Sequence, residues 1–588
     1  LLFSTIAFAQ SQKVAFKDWE TNAGIQAMFQ KNITKVDASG NVYTAGATLN
    51  ANGKYDIFLT KVSSGGTLLY TKQINGTSND QDFALGLALS GTDVYMTGSI
   101  TNGTVTPIPE LFLVKYNSSG TQQFFSTYSG GYGDVGKDLV VNITYSTCIV
   151  TGASYNSGFT SDMVVVAFNS NSGAQNWVNG YSFPYGANDA GIKIATKSNN
   201  CTVTSAVTAG ANQYKLVTTQ YTVSTGWGTG TVTAGAIATS SVEIVADLFQ
   251  DASGNIYLIG ATQQNAGQGY DIYVAKVTSS LTIAYETTIN GFSGSSLDDF
   301  GKGITVDASG NAYISCVTTH STQGKNLTVV KLNSSGTVQW TKNINNSTYN
   351  GNDGGADLAL DASNDVYITG YQTVSANNTD IYTVKLEGST GNTVWERIEE
   401  SDLNDEGTNI IMDNNDVLVA GSRETTPGNY EYVTYKFVQK EVQIPIEATT
   451  EDPNTSYLFY ENKGQILNSS GTAVESTVTH ATMDAYPAIF FKPKTFSYKL
   501  YNFDTLSAVV DTTQRIDITL DGGNESAKPY SMEKSQGLVN IFDTKLLANI
   551  TDIQGYKRIV ASEVYSGIDA HYYSNHDSLK IYYVVKPG

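Results

Sequence analysis

The sequence has 588 residues, of which 15% are charged, and it carries a formal net charge of −20 with four arginines in the whole chain. This acidity excludes the phosphate-binding surface expected of a nucleic-acid-binding protein. The 55 glycines and the lack of any long amphipathic helical pattern favour an all-β fold, and the length suggests two domains.

The first residues, LLFSTIAFAQ, resemble the end of a secretory signal peptide. An apolar run precedes Ala7-Phe8-Ala9, which has the small-x-small form of a cleavage site before Gln10. Residues 1–9 are therefore predicted to be the remnant of a signal peptide whose start is missing. The mature protein is expected to be secreted or to lie at the outer cell surface, and no later apolar run is long enough to predict a transmembrane helix.

A repeated pattern organises residues 10–439. Its clearest copies are VDASGNVYTAG (36–46), SGTDVYMTG (90–98), DASGNIYLIG (251–260), VDASGNAYISC (306–316) and DASNDVYITG (361–370). Eight copies follow one another at intervals of 51 to 56 residues, which is room for four short strands and their turns. This period predicts a β-propeller of eight four-stranded blades, with seven as the alternative.

Two further features recur within each predicted blade. The third strand begins with an acid and has a lysine five residues later, as in Asp56/Lys61 and Asp380/Lys385, and we expect the lysine to reach an acid across a blade interface. The fourth strand carries an aromatic residue in six repeats, with Trp227 a weaker match. The eighth repeat lacks this strand, and Val14-Ala15-Phe16 lies 54 residues before Tyr70, so the N-terminal strand is predicted to close the propeller.

These motifs resemble the SBBP family of bacterial β-propeller repeats, in which a D-x-x-G-N-x-Y-x-x-G hairpin precedes a D-x-x-x-x-K strand. The resemblance covers about residues 14–437 and implies a propeller, although the family is described with seven blades. It does not imply a ligand.

After a predicted linker at 440–456, residues 457–588 alternate apolar and polar residues and predict a second β-rich domain. The motifs ENKGQ (461–465) and YSGID (565–569) resemble the uncharacterised domain that commonly accompanies SBBP repeats. The resemblance implies that the chain continues past Gly588. In Bacteroidetes it also implies a sorting domain for type IX secretion beyond that point.

Aspartates that begin predicted strands are the candidate binding residues. They would lie at one end of the propeller and form an acidic rim around the channel mouth, suited to Ca²⁺, a cationic protein surface or sugar hydroxyls. The alternative is that each aspartate caps its own turn. The set comprises Asp56, Asp82, Asp138, Asp189, Asp247, Asp271, Asp299, Asp357, Asp380 and Asp405.

No catalytic centre is predicted. The three cysteines are far apart and fit buried strand positions, and the four histidines show no metal-binding spacing. The leading hypothesis is a non-catalytic binding or adhesion protein for polysaccharide or a surface protein, without a cofactor unless Ca²⁺ binds. The alternatives are a polysaccharide-acting enzyme with a carboxylate pair near the channel, and an envelope-assembly scaffold. The oligomeric state is left open.

Overall fold

The computed structural model is built from β-strands, and no helix occurs among the residues it describes, which confirms the predicted all-β propeller class. It divides into two compact units, Ala15–Gln439 and a second made of Lys440–Gly588 with Leu1–Val14. The described residues are 9–27, 32–78, 80–103, 107–158, 160–181, 189–210, 213–234, 242–263, 269–291, 297–375, 378–399, 401–445, 459–461, 478, 480–482, 488–492, 495–504, 509–519, 524, 529–541, 550–566, 568–575 and 578–585.

The strands of the first unit follow the predicted repeats four at a time, and repeats are numbered here in chain order. Repeats 1 to 4 comprise β2 Ile33–Val36, β3 Val42–Leu49, β4 Tyr55–Val62, β5 Leu68–Ile74; β6 Phe83–Ser90, β7 Asp93–Asn102, β8 Ile108–Tyr116, β9 Gln122–Tyr128; β10 Asp134–Asn142, β11 Thr147–Tyr155, β12 Ser161–Asn169, β13 Gln175–Tyr181; β14 Ala190–Lys197, β15 Asn200–Gly210, β16 Gln213–Thr222 and β17 Gly228–Ala234. Repeats 5 to 8 comprise β18 Val242–Gln250, β19 Ile256–Gln263, β20 Asp271–Val277, β21 Ile283–Ile289; β22 Phe300–Val306, β23 Ala312–His320, β24 Gly324–Leu332, β25 Val338–Ile344; β26 Gly354–Leu360, β27 Val366–Ser375, β28 Asn378–Leu386, β29 Thr393–Glu399; β30 Asp405–Asp413, β31 Asp416–Thr426 and β32 Asn429–Pro445, with β1 Ala9–Ala27 from the start of the chain.

Each of repeats 2 to 7 forms a separate four-stranded antiparallel sheet. Repeats 1 and 8 share one eight-stranded sheet in which β1 lies beside β32 and its end pairs with β3. The N-terminal strand therefore supplies the strand that repeat 8 lacks, as predicted. The first strands contact one another in order from β2 to β30, and β30 contacts β2, so these strands form a closed ring.

The hydrophobic core lies between neighbouring sheets. One cluster joins Leu59 of repeat 1 to Val94 and Phe112 of repeat 2, and another joins Val329 of repeat 6 to Ile368 of repeat 7. Because both faces of each sheet are covered, the central strands are apolar on both sides. The three cysteines are buried in strands β11, β15 and β23, as their surroundings predict.

The D-x-S-G-N motif is a turn held by its own aspartate. One carboxylate oxygen of Asp37 accepts the backbone N–H groups of Ser39 and Asn41 at 2.9 and 3.0 Å, and the other accepts the side chains of Asn41 and Tyr43. Gly40 has φ +76°, which explains the glycine at the fourth position. The same bonds recur at Asp251, Asp307 and Asp361, so this motif is structural.

The third-strand lysines do not reach acids in the next sheet, and that prediction is wrong. Lys385 pairs with Asp361 and Asp365 of its own repeat at 3.0 and 2.9 Å, and its ammonium lies 4.8 Å from the ring centroid of Tyr367. What crosses the interface is a hydrogen bond from lysine to a backbone carbonyl, as from Lys331 to Gly388 at 2.7 Å. The turn of the same hairpin brings the acid closer than any residue of the neighbouring sheet.

The fourth-strand aromatic residues pack on a left-handed glycine of the following repeat. A Cβ at Gly391 would lie 2.8 Å from Trp340, and the same close approach occurs at Gly120 and Gly336. Trp227 differs, because it lies in the turn before β17 and is exposed.

The N-terminal strand takes the same part in closing the ring. Trp19 contacts Gly66 as the fourth-strand aromatics contact their glycines, and its indole N–H donates to Ser64 at 3.0 Å. Phe16, which the spacing aligns with Tyr70, is not the residue in this position. No turn joins β1 to β32, so the spacing along the chain does not fix their register.

The second unit is a nine-stranded antiparallel sheet. Its buried residues include Phe491, Val560 and Tyr572, and the rings of Phe491 and Tyr572 meet edge to face at 5.0 Å. Its strands are β33 Phe459–Glu461, β34 His480–Thr482, β35 Ala488–Lys492, β36 Thr495–Asp504, β37 Val509–Thr519, β38 Pro529–Ile541, β39 Ile550–Tyr565, β40 Ile568–Asn575 and β41 Ser578–Val585.

Candidate functional site

The first strands of repeats 2 to 8 each contain a bulge, which changes the face that the following side chains occupy. The register shifts in repeat 5 between Val245 and Asp247 and in repeat 7 between Gly355 and Asp357. The second strand passes close to the bulge, and a Cβ at Gly260 would lie 1.7 Å from the carbonyl oxygen of Ile244. This contact explains the glycine that ends most copies of the motif.

The aspartates that enter the first strands are buried hydrogen-bond acceptors. The carboxylate of Asp82 accepts the backbone N–H groups of Gly76 and Thr101, both at 2.6 Å, and that of Asp299 accepts those of Gly291 and Thr319 at 2.6 and 2.8 Å. Burial raises the pKa of both groups against the effect of these bonds. Their oxygens are committed to the backbone.

Two residues with this role were missed in the sequence. Asp353 accepts the N–H groups of Asn346 and Thr373, and buried Asp134 accepts that of Gly130 at 2.5 Å. They lie four residues before Asp357 and Asp138. Their distance from the glycine that ends the motif, 17 or 18 residues against 16 for Asp82, was the signal that would have identified them.

The other aspartates at strand beginnings are also engaged. Asp405 is buried, accepts the N–H of Glu424 and lies 3.3 Å from the guanidinium of Arg423, and burial raises its pKa to about 6 although Arg423 opposes the shift. Asp189 is buried as well. These groups are capping positions in the structure, and none of them is on an open rim.

The aspartates of the third strands differ in burial. Asp56 accepts the side chains of Asn50 and Gln73 at 2.7 and 2.8 Å, and buried Asp380 accepts the N–H of Ser401 at 3.3 Å. Asp271 is half-buried, and burial followed by the nearby Asp299 raises its pKa.

Three predicted residues lie together in the first strands of alternate repeats. Asp138, Asp247 and Asp357 each accept a backbone N–H from the first strand of the next repeat, at 3.0, 3.3 and 3.2 Å. Lys193 stands 3.6 Å from Asp247, and the charge of Asp138 raises its pKa most. The predicted acidic set therefore separates into capping residues and a mixed-charge group of the ring, and its role in ligand binding stays a prediction.

A cavity of about 620 Å³ opens among the first strands of repeats 5 to 8, next to Asp247 and Asp357 in the sequence. Its polar lining includes Lys302, Lys325, Tyr371, Glu406 and Thr408. The volume lies within the usual range of ligand sites, about 300–1,000 Å³. Lys302 and Thr408 are the bulge residues of repeats 6 and 8, so the bulges direct the lining side chains.

The lining combines two lysines with a single carboxyl group. Burial raises the pKa of Glu406, and the nearby Lys302 opposes that shift. The pKa of Tyr371 is also raised, by burial first and then by the charge of Glu406. The cavity can therefore offer ammonium and hydroxyl donors and one carboxylate acceptor, with an excess of positive charge in a strongly acidic protein.

Among the described residues, no cluster of three or more His, Cys, Asp or Glu has the geometry to hold a metal ion. Within the same residues, no helix has the length and apolar character needed to cross a membrane.

Residues 459–588 match a family model described as a domain of unknown function, DUF7948. This match covers the second unit of the chain and says nothing about the propeller. No curated protein matches the sequence.

Solved structures similar to this chain include propellers and dehydrogenases. A europium-containing methanol dehydrogenase is 9% identical with a TM-score of 0.44, covering 72% of this chain and 93% of that one. The Dos1 propeller is 9% identical with a TM-score of 0.44, covering 71% and 95%. The quinohemoprotein alcohol dehydrogenase of Comamonas testosteroni is 10% identical with a TM-score of 0.42, covering 76% and 78%.

Proposed function

We propose that the protein is an exported, non-catalytic propeller that binds an acidic polysaccharide in the cavity among the first strands of repeats 5 to 8. The observation that carries the proposal is the cavity lining, in which Lys302 and Lys325 outnumber the carboxylate of Glu406. A carboxylated sugar gains charge-assisted hydrogen bonds from lysine, and its hydroxyls can pair with Glu406, Tyr371 and Thr408.

The same lining favours binding over glycoside hydrolysis. Most glycosidases use two carboxyl groups on opposite sides of the scissile bond. Among the described residues, Glu406 supplies the one carboxyl group of this cavity.

The architecture and location belong to the proposal as well. We infer eight blades from the closed ring of eight first strands, and we assign the repeats to the SBBP type from the recurrence of their hairpin motif. The signal-like sequence before Gln10 supports export to the medium or the outer cell surface.

The test is isothermal titration calorimetry of the full chain with a panel of uronic-acid oligosaccharides and their carboxyl-reduced, neutral counterparts. Binding of at least one acidic oligosaccharide is expected, with weaker binding of its neutral counterpart. Lys302→Met should lower the affinity at least about tenfold, because it removes one charge-assisted hydrogen bond.

Lys54→Met is the matched control. Lys54 pairs with Asp80 on the surface, so its loss should leave binding unchanged. Failure of every acidic oligosaccharide to bind, or equal effects of the two variants, would contradict the proposal.

A further inference from the structure

A second polar cavity, of about 360 Å³, lies between repeats 6 and 7 and is separate from the one described above. One wall is formed by the end of β25 and the residues that follow it, including Asn343, Asn345 and Asn346. The other is formed by repeat 7 through Gln372, Tyr382 and Glu396. We call this space the 6/7 crevice.

The matching position between repeats 5 and 6 provides an internal comparison. Gly370 pairs with Tyr382 as Cys316 pairs with Thr328, and Val384 pairs with Glu396 as Val330 pairs with Thr341. The cavity there is about 120 Å³, and its lining includes Ile289, Gly291 and these threonines.

The repeat architecture is therefore satisfied with small residues at this place. Tyr382 and Glu396 replace two threonines, and Gln372 replaces Thr318 by the same spacing from the end of the hairpin motif. The larger, more polar lining of the 6/7 crevice is not a requirement of the fold.

Hydrogen bonding within the crevice leaves specific acceptors for a ligand. The Tyr382 hydroxyl donates to Glu396 at 2.7 Å, which orients a carboxylate whose side chain is otherwise exposed. Asn345 donates to Asn350 at 2.9 Å, but its buried carbonyl oxygen accepts no hydrogen bond from the described residues. Leaving such an oxygen unsatisfied costs about 1–3 kcal/mol, which a ligand hydroxyl would recover.

We propose that the 6/7 crevice binds a neutral pyranose unit. Lys342 and Glu396 contribute opposite charges, so the lining favours no ionic ligand. Sugar hydroxyls both donate and accept, which matches the mixture of amides, ammonium and carboxylate in this lining. The volume is near the lower end of the range for ligand pockets and suits a monosaccharide or disaccharide.

The test uses the full chain carrying Lys302→Met, so that the cavity of the proposed function is disabled. Saturation-transfer NMR and calorimetry are run with a panel of methyl glycosides of neutral hexoses and their disaccharides. At least one is expected to bind, and adding Asn345→Ala or Glu396→Gln should weaken its binding at least about tenfold, equivalent to one lost hydrogen bond of a charged or buried group.

Glu286→Gln is the matched control, because Glu286 accepts the hydroxyl of Tyr273 in repeat 5 as Glu396 accepts that of Tyr382. It should leave binding unchanged, and unaltered Trp340 fluorescence would confirm that the crevice variants remain folded. The proposal is overturned if no neutral sugar binds, if sugars bind the parent chain but not the Lys302→Met chain, or if Glu286→Gln weakens binding as much as Glu396→Gln. Loss of acidic-polysaccharide binding alone would affect the proposed function and not this crevice.

Discussion

The propeller and the C-terminal unit treat buried polar groups differently. In the propeller, buried Asp82 and Asp299 each accept two backbone N–H groups, and Lys385 is 0% exposed between Asp361 and Asp365. In the C-terminal unit, His571 is also 0% exposed, yet neither ring nitrogen has a hydrogen-bond partner among the described residues. A repeated sequence has copied its buried charges together with their partners, whereas the other unit buries a titratable ring through packing alone.

The largest expected effect comes from breaking one of the copied pairs. Lys385→Met should lower the free energy of unfolding of the propeller by about 4 kcal/mol, because it leaves the carboxylates of Asp361 and Asp365 without their buried cation. Urea unfolding followed by tryptophan fluorescence measures this effect, since all five tryptophans lie between Trp19 and Trp395. The surface variant Lys54→Met should change stability by less than about 1 kcal/mol, and a similar loss in both variants would show that the buried pair contributes little.

The second prediction separates the two units by pH. Burial, with the charge of Arg558, lowers the pKa of His571 to about 4 from a model value of 6.5. A lowered pKa stabilises the folded form above the unfolded value, and this stability is lost as the pH falls from about 6.5 toward 4, up to about 3 kcal/mol in total. Hydrogen exchange of residues 550–585 should therefore quicken between about pH 7.5 and about pH 5 once corrected for intrinsic rates.

The propeller should not follow this trend. The raised pKa values of Asp82 and Asp299 stabilise the folded form below the unfolded value near 3.8 and lose that effect as the pH rises, so acidification does not weaken the propeller through them. His571→Phe should abolish the acid sensitivity of the C-terminal unit, while His320→Gln in the propeller should preserve it. Acid sensitivity that survives His571→Phe would assign the effect to another group.

The smallest effect concerns the glycines that receive the fourth-strand aromatics. Gly391→Ala places a methyl group 2.8 Å from Trp340 at φ +75°, whereas Gly428→Ala has φ +81° and open space. The left-handed backbone costs about 1–2 kcal/mol in both variants, and the contact with Trp340 adds about 2 kcal/mol in the first. Equal unfolding midpoints in urea would mean that the indole moves away without cost.

The repeated features could be predicted from the sequence because they recur at a fixed period. The four-strand pattern, the D-x-S-G-N turn and the closure by the N-terminal strand all follow from spacing and turn chemistry. The partner of Lys385 could not be predicted in this way, because the lysine is near both its own hairpin turn and the next sheet. Trp19 was missed since no turn fixes the register of β1 on β32.

The candidate sites were less predictable for a physical reason. The bulge in each first strand changes the face on which the next residues lie, so alternation cannot show that Lys302 and Glu406 line a cavity while Asp82 and Asp353 are buried. Both candidate sites also consist of residues that differ between repeats. The motif therefore identifies the scaffold, and departures from it indicate where a ligand binds.

The most direct test of this distinction is hydrogen-exchange mass spectrometry of the full chain with and without its best-binding acidic oligosaccharide. Protection is predicted in residues 300–302, 355–356 and 406–408, which line the cavity, with no change at the capping bonds of Asp82 to Gly76 and Thr101. Protection concentrated at Gly76 and Thr101, with none in the cavity strands, would contradict the account and restore the acidic rim as the binding surface.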